Sequence, residues 1–126
     1  MPPSPPPESA RQRGQTAEIM ACDYLQGRGL TLVTRNYTCK TGELDLIMRD
    51  GEQWVFVEVR SRRASRYGST LDTITANKQR RLIRAAEYYL QQHRVEQPCR
   101  FDVVAITYHA DQVQIEWIPN AIQVER

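Results

Sequence analysis

Two stretches of this 126-residue chain concentrate side chains that can do chemistry. The first runs Gly42-Glu43-Leu44-Asp45-Leu46-Ile47, crosses an Asp50-Gly51 turn signal, and returns as Val55-Phe56-Val57-Glu58-Val59-Arg60. Strand side chains alternate between faces, so Glu43, Asp45, Glu58 and Arg60 share one face of a hairpin. With the turn centred on Asp50-Gly51, Glu43 falls opposite Glu58, and Asp45 lies diagonally from it at roughly 7–8 Å. Opposed like charges destabilise a plain sheet. A hard cation bound by carboxylate oxygens removes that penalty, and two or three convergent carboxylates with open positions suit Mg²⁺ or Mn²⁺ in phosphoryl chemistry. The metal candidates are therefore Asp45, Glu58 and Glu43. A simpler reading stands beside this one: the strand end is solvated and its acids pair with Arg49, Arg60 and Arg62, since surface ion pairs are common.

The second stretch is basic. Between Arg60 and Arg84 lie eight Lys or Arg residues against one acid, Asp72, while the rest of the chain holds nine basic and fourteen acidic residues. Net charge is only +2, so the segregation is the informative quantity. A solvated helix face normally mixes both signs. A face nearly free of acids suits contact with phosphates, and Arg62, Arg63, Arg66, Lys78, Arg81 and Arg84 are the candidate nucleic-acid contacts. Tyr67, interleaved among them, can stack on a base. No side chain here announces base-edge recognition, which favours a partner selected by its structure.

These residues need a scaffold. Ala10, Gly14, Ala17, Ala21 and Tyr24 recur at helical spacing from about residue 9 to 26, and Gly27 and Gly29 end that pattern. Strands are expected over about 30–37, 42–49, 53–62, 100–108 and 113–118, with a second helix over about 75–92. The order α-β-β-β-α-β-β predicts an α/β fold with a mixed sheet flanked by helices. The passage from the third strand through the second helix to the fourth is long enough for a parallel crossover. The length fits a single domain over residues 9–126, and the proline-rich residues 1–8 are expected to be a disordered tail. Cys22, Cys39 and Cys99 lack zinc-site spacing and read as free thiols in a reducing cytoplasm. No apolar run is long enough for a membrane span, and the first residues lack a secretory h-region. His93 and His109 are expected at the surface, and Trp54 and Phe56 in the core. Arg100 and Asp102 fit equally a structural pair or the wall of a site.

The acid-hairpin-Glu-x-basic unit resembles the core of the restriction-endonuclease-like, or PD-(D/E)XK, nuclease superfamily. More narrowly, the chain resembles the YraN-like family of uncharacterised bacterial proteins from about Gln15 to Ile118. That likeness includes Ala17-Glu18, Arg35-Asn36-Tyr37, Lys78 at the head of the second helix, and Arg100-Phe101-Asp102-Val103-Val104. The resemblance implies a restriction-endonuclease-like core, metal-binding carboxylates at Asp45 and Glu58, and an additional first-helix acid at Glu18. Arg60 stands where the superfamily usually has lysine. An arginine is not deprotonated in a protein, so Arg60 is excluded as a general base but can clamp a phosphate. The catalytic candidates are Asp45, Glu58, Arg60 and Glu18, and the expected function is Mg²⁺- or Mn²⁺-dependent cleavage of structured or branched DNA. Two rivals stand beside it: a nucleic-acid-binding module without turnover, and a small adaptor for a protein partner.

Overall fold

The protein is described here by a computed structural model over residues 10–64 and 74–123. The expected tail at residues 1–8, and the candidates Arg66 and Tyr67, lie outside the described residues. The elements are α1 (Ala10–Gly27), β1 (Thr31–Cys39), β2 (Gly42–Asp50), β3 (Gln53–Arg63), α2 (Ala76–Gln92), β4 (Cys99–Tyr108) and β5 (Val113–Ile122). This is the expected order, folded into one five-stranded sheet, β1-β2-β3-β4-β5, consistent with a restriction-endonuclease-like core. β3 and β4 are parallel through the α2 crossover, and the other neighbouring strands are antiparallel.

Each helix buries one face of the sheet. The small residues Ala17, Ala21 and Cys22 let α1 lie close to Leu46, Met48, Val55, Val57, Val104 and Ile106. On the other side, Leu82, Ala85, Ala86 and Tyr89 of α2 cover Ile47, Phe56, Phe101 and Val103, with Trp54 at the margin of that core. Tyr89 contacts Trp54 and Phe56 ring to ring, so these two aromatics are core beneath a helix.

Two details of the sheet depart from the expected register. The two-residue turn is Gly51-Glu52, because Asp50 pairs with Gln53. Gly51 has φ +63° and Glu52 is not in the left-handed region, the pattern of a II′ hairpin turn with glycine first. The pairing Leu46↔Val57 then carries Asp45, not Glu43, to the position across from Glu58. A two-residue shift preserves the faces because side chains alternate with period two. The second departure is in β2, where Leu44 packs under α2 while Leu46 and Met48 pack under α1. Strict alternation therefore breaks at Asp45.

β5 runs past the expected end at Ile118, through Pro119, to Ile122. Proline is tolerated on an edge strand. Asn120 there has φ +52°, beside a register shift between Phe101 and Val103. No described helix is long and apolar enough to cross a membrane.

Candidate functional site

At Asp45 the β2–β3 ladder stops, and the side chain takes over its role. Asp45 Oδ2 accepts a hydrogen bond from the Val59 N–H at 2.8 Å, just beyond the Leu46↔Val57 pair. Its carboxyl thereby turns toward Glu58, close enough to hydrogen-bond with it. Burial, and then the charge of Glu58, push the Asp45 carboxyl up to about 8. At neutral pH the Asp45 carboxyl therefore keeps its proton.

Three further elements close around this pair. Glu18 of α1 reaches Asp45 and is raised above the ordinary carboxylate range, chiefly by burial, with Glu43 and Glu58 adding repulsion. Asn36 of β1, in the amide orientation that lets it donate, gives Glu18 two hydrogen bonds of 2.8 and 3.3 Å. Asn36 sits between the Arg35↔Leu46 and Tyr37↔Leu44 pairs with φ +52°. Asparagine is among the few residues that accept that conformation readily. From the opposite side, Lys78 Nζ lies 3.0 Å from Glu58 Oε1, and Arg60 Nη1 lies 3.5 Å from the same oxygen. Glu58 is only 6% exposed, so these cations meet a largely desolvated carboxylate.

Lys78 occupies the first turn of α2, where the Thr75 side chain caps the helix by accepting the Lys78 N–H at 3.2 Å. The helix is seated by Gly42, whose position leaves no room for a β-carbon: one built there meets the Arg81 carbonyl oxygen at 2.7 Å. Between β2, β3 and this helix end opens a cleft of about 220 Å³ lined by Glu43, Glu58, Thr75, Asn77, Lys78 and Arg81. Glu43 is exposed on its rim.

The structure thus brings together Glu18, Asp45, Glu58 and Arg60, with Glu43 close by. Among the described residues no three His, Cys, Asp or Glu side chains are arranged to hold one metal ion together. Of the candidate phosphate contacts, Arg63, Arg81 and Arg84 are exposed and Arg62 is half-buried. Lys78, expected among these on the exposed helix face, instead points its ammonium at Glu58. Sequence reasoning missed Asn36 as a site residue. Its one signal was its type, since asparagine in the middle of a strand invites a left-handed backbone.

Other candidates resolve as structure. Arg100 Nε bonds both Asp102 oxygens at 3.0 and 3.2 Å, making these two a structural pair. His93 is exposed and ends α2, stacking on Tyr89, and His109 contacts Gln114 at a turn. The three cysteines are free.

The model of the uncharacterised protein family UPF0102, also called the YraN family, matches residues 17–106, a span that contains every site residue named above. A UPF0102 protein of Nitrosococcus oceani is 52% identical over 121 residues, covering 94% of this chain and 98% of the relative. Relatives of the same description from Pseudomonas fluorescens and Ralstonia nicotianae are 48% and 51% identical, over 92% and 98% of this chain and 97% and 95% of theirs.

Proposed function

The chain belongs to the uncharacterised protein family UPF0102, a membership that assigns no activity, and we propose that it is a PD-(D/E)XK-type, metal-dependent nuclease acting on structured or branched DNA. The observation that carries the reading is the adjacency of half-buried Asp45 and buried Glu58, where Glu58 lines a cleft whose other wall is basic. A hard cation between them would take the place of the proton that Asp45 otherwise keeps. The donor set fits Mg²⁺ or Mn²⁺, because Mg²⁺ is commonly bound through one or two carboxylates, with waters and phosphate oxygens completing its shell.

Asp45 and Glu58 hold the cation in this reading, with Glu43 available from the rim. When bound, such an ion polarises the phosphate and makes a water more acidic. Asn36 holds Glu18, and Glu18 in turn braces Asp45. Arg60 provides a fixed charge for the phosphate oxygens. In the hydrolysis, the water oxygen bonds to phosphorus and the bond to the departing sugar oxygen breaks. One water proton ends on that oxygen. Arg81 lines the cleft, and in this reading the exposed Arg63 and Arg84 and half-buried Arg62 hold the backbone with it.

A second reading has its own observation. Lys78 and Arg60 already neutralise Glu58 without any metal, as a binding module that lacks turnover would need. One experiment separates the two. Purified protein is incubated with duplex, flap and four-way DNA in Mg²⁺ or Mn²⁺, beside Asp45→Asn and Glu58→Gln. Cleavage by the wild type alone supports the nuclease. DNA binding without cleavage on any substrate leaves the binding module, and absence of binding at low salt leaves the adaptor.

A further inference from the structure

Two cations touch Glu58, and they are not interchangeable. Arg60 presents a planar, always-charged fork from β3, suited to bidentate contact with phosphate oxygens. Lys78 presents a compact ammonium with three donors on a flexible stem, from a different element but to the same Glu58 oxygen. Its side chain is 39% exposed and lines the cleft while its ammonium engages Glu58, so it stands at the space a substrate would enter. The Thr75 cap and the tight seat at Gly42 fix the helix turn from which it extends.

We propose that Lys78 orients the attacking water beside the Asp45–Glu58 pair, leaving Arg60 to the phosphate. This inference rests on the nuclease reading and deepens it: the hydrolytic constellation is split between the acid hairpin and the first turn of α2. Lys78 need not lose a proton for the role. A donor to the water and a single positive charge next to the developing negative charge are sufficient.

The test compares wild type, Lys78→Gln, Lys78→Arg and Arg60→Lys/Lys78→Gln in single-turnover cleavage with Mn²⁺ at saturating DNA. Asp45→Asn serves as the inactive control, and equal melting temperatures of the Lys78 variants verify folding. Lys78→Gln is expected to lose a factor on the order of 10²–10³ in rate, the scale for one preorganised donor. Its DNA affinity should change little. Lys78→Arg should remain slow, because the guanidinium is longer and planar. Arg60→Lys/Lys78→Gln should recover part of the rate, since it returns an ammonium to the same carboxylate. Lys78→Gln cutting at the wild-type rate while Asp45→Asn is dead overturns the inference and leaves the nuclease standing. So does a variant whose only defect is weaker binding, with the salt slope of log K reduced by about 0.9, the signature of a lost phosphate contact. A wild type that cuts nothing overturns both.

Discussion

Asp102 on β4 has no exposed surface, and its carboxylate is fully occupied. Arg100 Nε bonds both oxygens, Trp117 Nε1 donates at 2.9 Å, and the Asn120 N–H donates at 2.8 Å. The positive-φ backbone at Asn120 aims that amide inward. Asp45 and Glu58, two and one strands away on β2 and β3, are half-buried and buried, yet they are set against each other with Glu18 adjacent. Buried polar groups are ordinarily satisfied, as Asp102 is. A pair in which Asp45 must keep its proton beside Glu58 is one that a cation can stabilise in the proton's place. The same physical chemistry thus separates a strut from a site, and that difference carries more than the presence of acids in either place.

The sharpest way to break this comparison is to mutate both sites and read both activity and stability. Asp45→Asn and Glu58→Gln should each reduce metal-dependent cleavage by roughly 10³-fold in single-turnover assays, because each removes a ligand to the cation. Asp102→Ala should lose about 3–5 kcal/mol of stability in urea melts, since it empties a buried network, removing the acceptor of Trp117 and Asn120 and one of the two acids that pair with Arg100. If Asp102→Ala is harmless to folding, Asp102 is no strut.

The sign of the stability change is the next test. Folded Asp45 holds its proton up to about 8, well above the ordinary carboxylate value. Between that ordinary value and about pH 8 the folded state therefore binds more protons than the unfolded state, and stability falls as pH rises through the window. Asp45→Asn has no such titration. In chelator its melting temperature should exceed the wild type's at pH 9, and the gain should vanish near pH 4.

How much of this was legible in the chain differs by feature. Although Leu44 lies on the face opposite to the one alternation gives it, the hairpin and its faces from Leu46 to Val57 follow from alternation, which survives a two-residue error in the turn. The partner of Glu58 does not survive it, and only the Gly51-Glu52 turn moves Asp45 into that place. The break at Asp45 was hidden because Leu44 and Leu46 are both apolar and suit a core on either face. Lys78 looked like one more cation on a basic helix. Its helix start was readable from Thr75, but where that start lies depends on how closely β2 admits α2 at Gly42, a tertiary fact.

That seat supplies a smaller test. Gly42→Ala forces a β-carbon against the Arg81 carbonyl, and should destabilise by about 1–3 kcal/mol, as overpacking does. It should also slow cleavage by displacing the turn that carries Lys78. The smallest effects belong to the arginines. Neutralising Arg63, Arg81 or Arg84 singly should reduce the slope of log K against log salt by about 0.9 on duplex DNA, measured by fluorescence anisotropy. Charge-neutral variants with unchanged slopes return these residues to solvated surface.

The parallel pairing of β3 with β4 has a consequence in time. The β2–β3 hairpin closes over two turn residues, whereas Lys78 sits in the long crossover that must be ordered before β4 can dock. Hairpins form in about 1–10 μs, and non-local parallel pairing is far slower. During refolding the acid pair therefore assembles before its lysine arrives. That early hairpin is electrostatically frustrated, and divalent cations or low pH should favour it by quieting the repulsion. Refolding should accelerate under both conditions, tying the speed of assembly to the same charges that define the cleft.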